Sequence, residues 1–272
     1  KQCPFISNCD PINNFDQNGK CECDACISGY DLSQGGYACV QRPPSPPPPP
    51  LPSPPPPPSS SSFGLAANGV TVLCPNAKVG DTGVVNGVTY TKRDRNGLVL
   101  LLASGNEAEL ATSCTTDVVD MSSIFEYAPG FNLNIGHWDT SKVTNMKVMF
   151  WAATSFNQDI GNWDTSKVID MAGMFSQATA FNKDISNWNT GAVTTMKGMF
   201  EGSSGFNNGG APLSWDTGAV KNMEWMFRAA SSFNQDLSGW NVAGVTACGL
   251  FYDGSGMAAG SPPNPNFTSC TP

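Results

Sequence analysis

Valine, methionine, phenylalanine and tryptophan recur along the second half of the chain on a fixed schedule. Aligned on a valine, the pattern V-x-x-M-x-x-M-F-x-x-A-x-x-F-N-x-D-I-x-x-W-D-T-S-K restarts at Val118, Val143, Val168, Val193, Val220 and Val245, in steps of 25, 25, 25, 27 and 25 residues. The tryptophan column reads Trp138, Trp163, Trp188, Trp215 and Trp240. One phenylalanine column reads Phe125, Phe150, Phe175, Phe200 and Phe227, and a second reads Phe131, Phe156, Phe181, Phe206 and Phe233. A constant period in this range marks a stack of repeats. Within one repeat, Val143, Met146, Met149 and Phe150 follow i, i+3, i+6 and i+7, which predicts one face of a short helix. The Asp, Thr and Ser residues before it supply N-cap oxygens. Residues 156–160, Phe-Asn-Gln-Asp-Ile, predict a short strand with Phe156, Ile160 and Trp163 turned inward. A single repeat buries too little apolar surface to offset the entropy of ordering it, so stacking is obligatory. The expected fold is an α/β solenoid, with strands of successive repeats in one parallel sheet and short helices on the opposite face.

These residues closely resemble the BspA-like leucine-rich repeats of surface proteins, in which MF, FN, W and DTS-V-x-M recur at this spacing. The resemblance covers residues 118–252. It implies a surface-exposed solenoid used for adhesion or binding, with no shared catalytic residues. Residues 68–114, with NGVTVLCP, VGDTG and NGVTYTKRDR, look like the region that often precedes such repeats, and Asn86-Gly87 reads there as a hairpin turn. The division expected is a cap over residues 63–117, repeats over 118–252 and a C-terminal cap or tail over 253–272. In this scheme Cys74 and Cys114 staple the first cap, and Cys248, in the methionine column of the last repeat, pairs with Cys270.

Ten cysteines fall into two even groups: Cys3, Cys9, Cys21, Cys23, Cys26 and Cys39, then the four beyond residue 70. A segment of about 40 residues needs staples to fold. Zinc competes for the cysteines between 21 and 26, but no histidine lies near and the single CxxC, Cys23 and Cys26, has no second one to match it. Disulfides are expected, and they place the protein outside the cytosol. Cys26-Ile27-Ser28-Gly29-Tyr30 followed by Cys39 resembles the closing loop of EGF-like cysteine-rich domains, so residues 1–42 are read as such a module. The resemblance implies a Cys26–Cys39 pair and leaves open how Cys3, Cys9, Cys21 and Cys23 pair among themselves. The acidic residues that EGF domains use for calcium are missing here.

Between residues 43 and 58 only Ser45, Leu51 and Ser53 are not proline. Such a run forms neither helix nor ladder and adopts polyproline II, which rises about 3.1 Å per residue and so spans roughly 50 Å. Two blocks of one serine and five prolines resemble the hydroxyproline-rich glycoproteins of plant and green-algal walls. That resemblance implies hydroxylation and glycosylation at Pro46, Pro47, Pro48, Pro49 and Pro50 and at Pro54, Pro55, Pro56, Pro57 and Pro58. Ser59, Ser60, Ser61 and Ser62 are further candidates for O-glycans. Residues 43–62 are therefore expected to form a glycosylated linker. Asn266-Phe267-Thr268 is the one N-glycosylation sequon in the sequence.

Composition narrows the functional classes. Only 13% of residues are charged and the net charge is −8, which argues against nucleic acid or anionic membrane as a partner. No apolar run reaches the ~18 residues of a membrane-spanning helix. The chain opens Lys-Gln-Cys-Pro with no apolar leader, which reads as a processed protein or a fragment. His137 is the single histidine. It flanks Trp138 with Asp139 but has no accompanying nucleophile, so a surface position is preferred to catalysis, and neither enzyme activity nor a cofactor is expected. The asparagine column Asn132, Asn157, Asn182, Asn207 and Asn234 reads as a structural ladder between repeats. Asp159, Asp184 and Asp236 form an acidic column that solvent screens; a weak calcium site is the alternative. Trp151 and Trp225 depart from the consensus on the helix side and are candidate interface aromatics. Two functions fit: a structural subunit of an extracellular fibril or wall layer, built head to tail from like copies, or a surface adhesin that binds a glycan or protein. Non-reducing peptide mapping should recover all ten cysteines in disulfides; a free thiol in either group would remove the extracellular placement.

Overall fold

A computed structural model describes the backbone of residues 30–32 and 39–41, and residues 62–257 and 263–272. It divides into two units, Lys1–Ser59 and Ser60–Pro272. In the first, strand β1 (Tyr30–Leu32) pairs antiparallel with β2 (Cys39–Gln41). The pairing expected for Cys3, Cys9, Cys21, Cys23, Cys26 and Cys39 lies outside the described residues, as do the candidate glycosylation prolines and Ser59, Ser60 and Ser61.

The second unit begins with short sheets. Strand β3 (Gly64–Leu65) pairs antiparallel with β4 (Val72–Leu73). Strand β5 (Thr82–Val85) turns into β6 (Val88–Lys92) through Asn86 and Gly87, whose φ values of 50° and 79° are those a tight two-residue hairpin requires. Strand β7 (Ser113–Cys114) adds to β6 in parallel. Phe63, Val72, Cys74, Ala77, Val85 and Cys114 form a small core under these sheets, and a disulfide joins Cys74 to Cys114. Between β6 and β7 lies helix α1 (Arg95–Ala103), an element with no counterpart in the sequence expectations. The Asp94 carboxylate caps it by accepting from the Gly97 amide at 2.8 Å. Leu98 and Leu101 bury its inner face against the first repeat.

The repeats do not form the expected α/β solenoid. Among the described residues, 118–252 contain no α-helix and no strand, and the sheets present are small, antiparallel or mixed. Instead of a continuous parallel sheet, single parallel bridges link Asp120, Asn145, Asp170, Thr195, Asn222 and Ala247 in turn. The predicted helix fails for a local reason. Position i+5 of every repeat (Ser123, Val148, Gly173, Gly198, Trp225 and Leu250) has positive φ, and so does i+9, from Tyr127 through Ala152 and Gln177 to Gly254. A right-handed helix admits neither. What replaces it is a run of tight turns, in which Met149 donates to Met146, Trp151 to Val148 and Ala153 to Phe150. A spacing of three residues suits such turns as well as it suits a helix.

The left-handed residues turn alternate amides outward along the stack. In the second repeat the N–H groups of Met146, Val148, Phe150 and Ala152 donate to the carbonyls of Asp170, Ala172, Met174 and Ser176. The same four donors recur at each of the five junctions between repeats, at 2.7 to 3.1 Å. Side chains extend the ladder. The hydroxyls of Thr140, Thr165, Thr190 and Thr217 donate to the next repeat, to the carbonyls of Asp164, Asn189, Asp216 and Asn241, so they join repeats rather than cap helices. Each indole N–H of the tryptophan column donates backward; Trp163 reaches the Ile135 carbonyl at 3.2 Å and Trp188 the Ile160 carbonyl at 3.0 Å. The asparagine column is a ladder in which each amide oxygen accepts the backbone N–H of the next asparagine, as Asn157 does from Asn182 at 3.0 Å.

Inside this frame the aromatic columns stack face to face. Phe150, Phe175 and Phe200 lie 5.4 and 5.7 Å apart, and Trp163 and Trp188 lie 6.4 Å apart with planes within 5°. The Val, Met and Phe residues that the sequence pattern turns inward are buried in one continuous core. A second disulfide, Cys248 to Cys270, ties the C-terminal segment to the last repeat, where Phe267 packs on Phe251. No helix among the described residues is long and apolar enough to cross a membrane.

Phe175→Ala should lower stability by about 3–5 kcal/mol, the usual cost of removing a buried aromatic ring. Asn182→Ala should cost about 1 kcal/mol, because it removes the acceptor for the amides of Asn207 and Gly209. Denaturant midpoints of the two variants check both values, and equal losses would contradict this division between ring and ladder.

Candidate functional site

The turn geometry determines which side chains reach the outer face of the stack. The i+5 column points outward, and its members differ in size along the stack: Val148, then Gly173 and Gly198, then Trp225 and Leu250. Two successive glycines between bulky neighbours leave a groove of about 440 Å³. Trp151 closes one end and Trp225 the other, with Lys147, Gln177, Lys197 and Glu201 at the rim. Both interface candidates thus line one site, although they stand on turns and not on a helix.

Apolar surface continues beyond the groove at both ends. Tyr127, 62% exposed, packs its ring 4.8 Å from Trp151. Beyond Trp225, itself 37% exposed, Leu250 is 47% exposed in the next repeat. The Lys197 ammonium lies 4.5 Å from the centre of the Trp225 ring and 3.0 Å from a Glu224 carboxylate oxygen. Lys197, with help from Asn222, holds the Glu224 carboxyl below its ordinary range. Glu201 is paired with Arg228 at 2.8 Å. Apart from Trp151 and Trp225, none of the lining residues, Gly173 and Gly198 among them, was singled out from the sequence. The signal of the two glycines was present as the size pattern of one column, but nothing in the sequence said that this column faced outward.

The family described as Mycoplasma protein of unknown function, DUF285, matches residues 102–213 and 211–259, more than half of the chain. The chain belongs to this family. No curated protein and no solved structure is significantly similar to it. The family match covers the stacked repeats and with them every residue of the groove.

The other sequence candidates take ordinary structural places in this DUF285 chain. Asp159, Asp184 and Asp236 are exposed, and each accepts the backbone N–H two residues on, from Gly161, Ser186 and Ser238. The Ser186 hydroxyl and amide hold the Asp184 carboxyl below its ordinary range, and those of Ser238 do the same for Asp236. The insertion in the fourth repeat puts Gly209 where the column would continue, so Asp236 is two repeats away from Asp184. Among the described residues no three His, Cys, Asp or Glu side chains come together as a metal site. Asn266 and Ser62 are exposed.

His137 is not the surface residue expected. It is half-buried, its Nε2 lies 3.0 Å from the Ser113 carbonyl, and its ring packs 5.2 Å from Tyr90. Asp139 is buried and engages the amide and hydroxyl of Ser141. Burial lowers the His137 pKa from its ordinary 6.5, more than the Ser113 contact raises it. The unfolded chain therefore takes up a proton near pH 6.5 that the folded chain resists, and stability falls as pH drops below that value. His137→Gln should remove this part of the acid sensitivity. Urea midpoints at pH 7.5 and pH 5.5 check it: the difference between them should be smaller in the variant than in the native chain.

Proposed function

We propose that this chain is a non-enzymatic structural subunit of an extracellular fibril or surface layer, and that it assembles head to tail through its repeat stack and proline-rich segment. The observation that carries the reading is the polarity of the backbone ladder. Every repeat donates four amides to the next, and the equivalent amides of the last repeat, at Cys248, Leu250, Tyr252 and Gly254, find no acceptor among the described residues. An edge of unpaired donors is a template for another chain. Contacts between unlike surfaces that do not close generate a filament rather than a ring. The two disulfides suit an oxidising compartment outside the cytosol, and the exposed Asn266 suits glycosylation there. The family resemblance to BspA-like surface repeats agrees with that placement.

A surface adhesin is the second reading, and the groove between Trp151 and Trp225 favours it, since exposed aromatic faces beside polar groups suit a ligand on another surface. Electron microscopy of the purified chain separates the two. Long regular filaments are expected; single particles at high protein concentration would favour the adhesin.

A further inference from the structure

We propose that the groove between Trp151 and Trp225 receives one of the five-proline blocks, residues 46–50 or 54–58, of a second copy of this chain. The proposal rests on the assembly reading above and names a contact through which it proceeds.

Three properties of the groove select this occupant. The first is polarity. The floor is formed by Val148, Ala172, Gly173 and Gly198 between two indoles, and two of the charged rim residues are already paired, Lys197 with Glu224 and Glu201 with Arg228. A saccharide would bring many hydroxyls to a floor with few free partners, and each one left unsatisfied on burial is costly. The docked proline block, one left without glycan, brings no N–H donor at all. Its rings can cover the indole faces, and its carbonyls can accept from Lys147 and Gln177, whose side chains have no hydrogen-bond partner among the described residues.

Length is the second property. Trp151 belongs to the repeat that starts at Val143 and Trp225 to the one that starts at Val220, three steps along the stack. At ~4.8 Å per step the separation is about 15 Å, and five residues of polyproline II at ~3.1 Å each also extend about 15 Å. The third is preorganisation. Proline rings restrict φ before any contact is made, so docking such a run orders few bonds, which is why aromatic-lined grooves recur as receptors for proline-rich segments. A block with no charge also meets no opposition from a chain of net charge −8. Because groove and block are different surfaces of each copy, the contact is heterologous and propagates.

The test uses full-length chains. One variant replaces the prolines of both blocks by alternating glycine and serine and keeps the groove. Two others keep the prolines: Trp225→Ala removes one wall, and Gly198→Leu fills the floor. Leucine at 198 carries the strain of a left-handed residue, the same strain Leu250 already bears in this column with φ 54° against 58° for Gly198, and the nearest atom a Cβ would meet is a Glu201 carboxylate oxygen at 3.4 Å. Sedimentation velocity should show the native chain associating and each variant doing so at least ~10-fold more weakly, as expected for loss of an anchor. An equimolar mixture of the proline variant with Gly198→Leu supplies an intact groove on one chain and two intact blocks on the other, and it should form a small complex of at most two groove-bearing chains per block-bearing chain that grows no further. Groove variants that assemble like the native chain, or a mixture that stays monomeric, would overturn the proposal while leaving assembly itself standing. If the native chain is monomeric, the assembly reading fails and the groove is tested alone, by titrating a synthetic peptide of residues 45–58 into the proline variant. Saturable binding abolished by Gly198→Leu upholds the groove assignment. No binding, or binding of arabinose or galactose oligosaccharides in place of the peptide, overturns it.

Discussion

Everything in the repeat region depends on one backbone hydrogen-bond arrangement. Two residues in each repeat adopt positive φ, which turns four alternate amides out of the local chain and onto the carbonyls of the next repeat. Buried amides must find acceptors, and here the acceptors lie in the next repeat, 24 or 26 residues on in sequence. No repeat can satisfy its own backbone. Stacking is thus required by hydrogen bonding as much as by burial of apolar surface.

The same geometry places the side chains. Bringing equivalent backbone atoms of successive repeats into hydrogen-bond contact brings equivalent side chains to stacking distance, so every column becomes a ladder. Columns of phenylalanine and tryptophan gain face-to-face packing. A column of asparagine gains a chain of side-chain acceptors. A column of aspartate would bring like charges together, and here each carboxylate is engaged by its own turn while the column breaks at Gly209. The outward i+5 column varies in size from one repeat to the next, and its two adjacent glycines open the groove.

A directional ladder also makes the two ends of the stack unlike. The first repeat is covered by α1, whose Leu98 and Leu101 join the repeat core and whose Arg95 donates to the Ser122 carbonyl at 2.6 Å. The last repeat keeps its packing through the Cys248–Cys270 disulfide and Phe267, yet its outward amides remain without acceptors among the described residues. An end closed by a helix and an end left with donors cannot pair symmetrically, which is why the proposed assembly is head to tail.

The sequence by itself determined the period, the columns and which residues turn inward. Val143, Met146, Phe150, Phe156, Ile160 and Trp163 are all buried, because a residue that recurs at a fixed interval can be kept apolar only by a core that recurs with it. It did not determine the secondary structure. Hydrophobic spacing of three and four is shared by helices and by successive turns, and the choice was made by left-handed residues such as Val148, Trp225 and Leu250, which no local propensity favours. Nor did it reveal the groove, for Trp151, Gly173, Gly198 and Trp225 come from four different repeats. Only the tertiary stack brings them together, and it does so because hydrogen bonds between repeats, rather than within them, set the register of the whole.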